Sequence, residues 1–93
     1  MNEASSQEQI TLTRRLRYRA VADEGVLVNL DSGRAIVVNE VGLHIIQQLA
    51  SPKTREVLAA SISSHFDIDI QQATVDLDIY LAELHKEQVL ESN

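Results

Sequence analysis

The sequence predicts an α+β domain in which a three-stranded antiparallel sheet is followed by three helices. Three observations carry this. Up to Val38 the apolar residues alternate or fall in short β-branched runs, the period of strands, and the turn signals Asp23-Glu24-Gly25 and Asp31-Ser32-Gly33 divide them into three. From Val41 onward the apolar residues recur every three or four positions, the period of helices. Between the two regimes stands Asn39, whose side-chain oxygen can accept from the free N–H groups that open a helix.

Taken in order, residues 1–13 are rich in Ser, Glu and Gln, and Ile10 and Leu12 are their only large aliphatic side chains. Such a stretch buries too little to offset its ordering entropy, so a mobile tail is expected ahead of a domain spanning 14–91. In the first strand Arg15, Arg17 and Arg19 alternate with Leu16, Tyr18 and Ala20, which predicts a basic outer face and a buried inner one. Val26-Leu27-Val28-Asn29-Leu30 is the second strand and Ala35-Ile36-Val37-Val38 the third, a meander with short turns.

The first helix is expected over 40–49, with Val41, Ile45, Ile46 and Leu49 inward and Glu40 in the positive first turn. Pro52 stops it. Thr54 is placed to cap a second helix reaching about His65, with Leu58, Ile62 and Phe66 on its buried face and Val57 alongside. Phe66-Asp67-Ile68-Asp69 forms a link. Asp69 and Gln72 have the spacing of a capping box for a last helix over 70–87.

That last helix has two apolar faces. Ala73, Leu77, Tyr80, Leu81 and Leu84 form the expected core stripe, while Val75, Ile79 and Ala82 lie nearly opposite, with Asp76, Glu83 and Glu87 on one flank and Asp78 and His85 on the other. The second face either packs on the sheet or tail, or walls a groove for a partner segment. The third strand raises the same question. A meander leaves it at a sheet edge, and Ala35-Ile36-Val37-Val38 carries none of the charges, prolines or bulges that guard such edges. The first strand or the tail covers it, or it accepts an extended peptide as a further strand. An open edge beside a doubly apolar helix makes one peptide groove.

Composition narrows the function classes. With 93 residues the chain makes one small domain, and with 3% aromatics its core must be aliphatic. The absence of cysteine excludes disulfides and thiolate chemistry. No apolar run approaches a membrane span and the N-terminus lacks a signal-peptide core, so a cytoplasmic protein is expected. The net charge is −6, and from His65 onward seven carboxylates face a single Lys86. That surface repels nucleic acid. The arginines at 14, 15, 17 and 19 suit a solvated strand face better than a phosphate site. His44, His65 and His85 lack any metal-ligand spacing and read as surface or half-buried side chains. With no Gly-rich phosphate loop and no nucleophile motif, neither catalysis nor a cofactor is expected.

Several segments resemble the PqqD-like domains, also called RiPP recognition elements. They are Gly25-Val26-Leu27-Val28-Asn29-Leu30-Asp31-Ser32-Gly33, the junction Val38-Asn39-Glu40-Val41-Gly42, the link Phe66-Asp67-Ile68-Asp69, and Asp76-Leu77-x-x-Tyr80-Leu81-x-x-Leu84. The resemblance spans about residues 16–91 and rests on the order and spacing of the motifs. It implies a winged-helix-like, non-enzymatic peptide chaperone. Such a protein would hold the leader of a ribosomally made precursor peptide as an added strand and present it to a modifying enzyme. A radical SAM enzyme or a leader peptidase would be that partner, in pyrroloquinoline quinone, lasso-peptide or related natural-product biosynthesis. Carried onto this chain, the peptide-binding residues would be Arg34, Ala35, Ile36, Val37 and Val38 of the third strand and Asp76, Ile79, Tyr80 and Glu83 of the last helix. The alternative is a winged-helix DNA-binding regulator, which needs a basic recognition helix where this chain offers only Arg55. The same open edge could also be met by homodimerisation.

Overall fold

The computed structural model describes residues 8–91, and the expected mobility of residues 1–7 lies outside them. Gln9–Ile10 (β1) opens the chain. Leu16–Val21 (β2), Glu24–Asn29 (β3) and Ala35–Val38 (β4) form the expected sheet in the order β2-β3-β4. Helices Glu40–Gln48 (α1), Arg55–Phe66 (α2) and Ile70–Lys86 (α3) follow, with Lys53–Thr54 (β5) between the first two. The fold is the α+β arrangement that the two periodicities imply.

Register assigns each strand residue a face. Leu16, Tyr18 and Ala20 oppose Asn29, Leu27 and Gly25, which in turn oppose Ile36 and Val38 across β4. This face looks toward the helices, yet on β2 it buries only Leu16, while Tyr18 and Ala20 are exposed. The expected half-buried first strand is therefore corrected: β2 runs out past the edge of the helical layer, which covers β3 and part of β4. The first turn is also displaced. It is formed by Ala22-Asp23, with Ala22 at φ 57°, and Gly25 lies inside β3. A Cβ on Gly25 would sit 3.0 Å from Val38 Cγ2 and 3.1 Å from Leu43 Cδ1, so this glycine serves close packing between strand and helix.

Leu27, Ile45, Ile46, Leu58, Ile62, Leu77, Leu84 and Val89 are the large fully buried side chains, an aliphatic core as the composition requires. Asn39 caps α1 by accepting from Gly42 N at 3.0 Å, and Thr54 caps α2 by accepting from Val57 N at 3.2 Å. Asp69 caps α3 through Gln71 N at 3.0 Å, but Gln72 does not complete a capping box. Its amide donates forward to Asp76 Oδ1 at 2.8 Å, one helical turn on. Val57 is exposed, because the buried arc of α2 runs through Leu58, Ala59 and Ile62 and Val57 falls outside it.

The segment from Gln9 to Thr13 departs most from expectation. Gln9 and Ile10 pair with Thr54 and Lys53, Leu12 bridges Leu90, and Thr13 N donates to Val89 O at 2.8 Å. Half-buried Ile10 and Leu12 pack on the core. The partners come from the middle and the far end of the chain, so no local pattern announces them. His44 is a further correction. It is 8% exposed, with Nε2 2.8 Å from Ser61 Oγ, its ring stacked on His65 at 4.3 Å and edge-on to Phe66.

Candidate functional site

β4 has β3 on one side and, among the described residues, no strand on the other. Residues 9–13 run to β5 and the C-terminus instead, so they do not cover this edge. Asn29 N donates to Arg34 O at 2.9 Å, which makes Asn29–Arg34 a hydrogen-bonded pair. Alternation along an antiparallel ladder then turns the N–H and C=O of Ile36 and Val38 toward β3. Those of Ala35 and Val37 face outward. The open edge therefore presents an unused donor and acceptor from each of two residues.

Beside this edge lies α3. A groove of about 370 Å³ separates them, lined by Ile36, Val37, Val38 and Asn39 on one side and by Tyr80, Glu83, Leu84 and Glu87 on the other. Two side-chain bonds bracket it. At one end Arg34 Nη2 donates to Glu87 Oε1 at 2.5 Å, and at the other Asn39 Nδ2 donates to Tyr80 Oη at 2.5 Å. Asn39 thus caps α1 with its oxygen and holds α3 with its nitrogen. Ile36, Val38, Leu84 and the half-buried Tyr80 ring give an apolar floor, and Glu83 and Glu87 an acidic rim.

Of the residues the sequence singles out, Ile36, Val37, Val38, Tyr80 and Glu83 line this groove, and Arg34 closes one end through Glu87. Ala35 is exposed on strand β4, on the face that carries Val26, Val28 and Val37. Asp76, half-buried and bonded to Gln72, lies a turn before Tyr80, outside the lining. Ile79 is 64% exposed on the outward side of α3, as is Val75 at 55%. Among the described residues the second apolar face therefore packs on neither the sheet nor the N-terminal segment over these two residues, whereas Ala82 lies beside β1 in a separate depression. Asn39, Leu84 and Glu87 belong to the groove as well. Glu87 is the position that helical spacing from Tyr80 and Glu83 would have reached.

An ion pair between α2 and α3, Arg55–Asp78, is bidentate at 2.7 Å for both contacts. These hydrogen bonds hold the Asp78 carboxyl below the usual carboxylate range and the Arg55 guanidinium above its own. Arg55, the sole basic side chain at the start of α2, is thereby occupied within the fold. No cluster of metal-ligating side chains occurs among the described residues.

The family model for coenzyme PQQ synthesis protein D (PqqD) matches residues 24–90. No curated protein sequence matches the chain. Three solved structures resemble it. TbiB1 in complex with the TbiA(beta) leader peptide shares 24% identity at a TM-score of 0.80, covering 89% of this chain and 96% of that one. The solution structure of the PqqD truncation of Methylobacterium extorquens PqqCD is described as a functional, stand-alone RiPP recognition element. It shares 20% identity at a TM-score of 0.76, covering 94% and 93%. Lasso peptide synthetase B1 complexed with the leader peptide shares 16% identity at 0.77, covering 91% and 100%. At these identities the likeness is one of fold.

Proposed function

We propose, from the premise that this chain belongs to the PqqD family, that it is a non-catalytic adaptor for the leader of a ribosomally made precursor peptide. The leader adds to β4 as a fourth strand in the groove against α3 and is presented there to a modifying enzyme. One observation carries the reading: the outward N–H and C=O groups of Ala35 and Val37 run beside a groove with an apolar floor. Main-chain bonds to such an edge supply affinity, and the pockets beside it supply selectivity. The resemblance to two proteins solved with leader peptides supports it. The binding residues are Arg34, Ala35, Ile36, Val37 and Val38 with Tyr80 and Glu83; a leader extending past the groove reaches Asp76, one turn before Tyr80, whereas Ile79 on the outward side of α3 stays outside it.

The partner enzyme belongs, on this reading, to a natural-product pathway, with a radical SAM enzyme or a leader peptidase as the two forms to test. The cytoplasm, where such precursors are made, is the compartment it implies; no helix among the described residues is long and apolar enough to cross a membrane. Self-association through β4 is the competing use of the same edge.

The test is a titration of isotope-labelled protein with the leader half of a short precursor peptide encoded nearby, with a scrambled peptide as control. Saturable amide shifts at residues 34–38 and along α3 are expected. Val37→Pro removes one outward N–H without touching the β3 ladder, and should weaken the complex about fivefold, the worth of one net hydrogen bond. Unchanged affinity with an intact circular dichroism spectrum would mean that the peptide does not pair with this edge.

A further inference from the structure

The groove carries one carboxylate that the fold does not use. On α3, Asp78 is bound by Arg55 and Asp76 accepts from Gln72. At the helix end Glu87 is bound by Arg34, and Glu91 beyond it accepts from Arg14 N at 3.2 Å. Glu83 is the one carboxylate on α3 with neither a salt bridge nor a side-chain hydrogen bond among the described residues, and it is exposed. It lines the groove between the two bracketing contacts, one turn from Glu87 and one from Tyr80.

A strand lying along β4 would run about 4.8 Å from it and send alternate side chains to the same face as Ile36 and Val38. Those side chains arrive over Tyr80, Glu83 and Leu84. The floor asks for an aliphatic or aromatic group, while Glu83 asks for a cation. An acidic peptide is disfavoured twice, by Glu83 and by the net charge of −6 on the whole chain.

We infer that the peptide taken by this groove carries a Lys or Arg on its groove-facing side, an even number of positions from an apolar residue, and that Glu83 selects for it. This rests on the adaptor reading above and adds the chemistry of the ligand. Glu83 is thus a specificity-determining residue, and its exposure lets it be changed without disturbing the core.

The experiment is selection of bound peptides from a random ten-residue display library, run in parallel on the full chain and on Glu83→Lys. Selected peptides are then resynthesised and placed by amide shifts. Peptides that shift residues 34–38 should carry Lys or Arg at one fixed position on the wild-type protein. On Glu83→Lys that preference should vanish in favour of Asp or Glu. Replacing the selected cation by Ala should weaken wild-type binding about threefold in low salt, and much less in high salt. Peptides that bind at β4 with no basic preference, or with the same preference on both proteins, overturn the role of Glu83 and leave the adaptor reading standing. Peptides that bind without shifting β4 overturn both.

Discussion

Asn29 shows how much one buried side chain can organise. Its Oδ1 accepts from Asp31 N at 2.8 Å and Ser32 N at 3.2 Å, shaping the turn into β4, while Nδ2 donates to Gln88 O at 2.9 Å and anchors the end of α3. Asn29→Ala should therefore lower stability by about 1–3 kcal/mol, since it strands a carbonyl and loosens the turn together. Thermal unfolding would show a drop of roughly 4–8 °C per kcal/mol for a domain of this size. His44 makes a different prediction. Burial, and then the charge of neighbouring His65, lower its pKa below the ordinary 6.5. The unfolded chain thus binds its proton more readily than the folded one. Stability should fall as pH drops below about 6.5 toward the lower folded value, and be insensitive to this group above it. Chemical denaturation from pH 8 to pH 5 checks this, with His44→Gln expected to flatten the slope; an equal slope in the variant would assign it elsewhere.

At the scale of elements, the junction of β4 with α1 sets where the open edge lies. Val38 ends the strand, Asn39 caps the helix, and Gly42 lets the helix sit against Val38. A Cβ at Gly42 would fall 2.7 Å from Val38 Cβ, an approach that only displacement of one element relieves. The backbone there is ordinary helix, so the penalty is steric. Gly42→Ala should destabilise by about 1–3 kcal/mol, as overpacking does. Peptide titration should also weaken, because β4 moves relative to α3. Destabilisation with unaltered affinity would place the strain in α1 instead. α3 serves three neighbours with three faces: Leu77 and Leu84 to the core, Tyr80 and Glu83 to β4, and Leu81 and Ala82 to the N-terminal segment.

For the whole molecule, the two ends of the described chain are tied to each other and to the start of α2. Thr13 N bonds Val89 O, and Glu91 N bonds Thr11 O at 2.8 Å. This tie lies against the Leu81 and Ala82 face of α3, away from the groove between β4 and α3. Deleting residues 1–13 should therefore lower stability by about 2 kcal/mol, the burial lost at half-buried Ile10 and Leu12, while leaving leader affinity unchanged. Parallel melting and titration of the truncated chain test this. A loss of affinity at temperatures where the truncated chain is folded would show that the N-terminal segment supports the groove.

The period change at Asn39, the caps at Asn39, Thr54 and Asp69, and the aliphatic core stripes were all legible in the sequence, because each depends on residues within a turn or two of one another. So was the prospect of a groove, since an unguarded strand and a two-faced helix are local patterns. The pairing of Gln9 with Thr54, the burial of His44 against Ser61 and His65, the exposure of Tyr18 and the Arg34–Glu87 and Asn39–Tyr80 brackets depend on where distant elements meet. The groove residues Asn39, Leu84 and Glu87 are of this kind: each has an adequate local role as cap, core side chain or helix end. Only the docking of α3 beside β4 gives them a common face, because the burial that fixes that docking is shared among residues far apart in the chain.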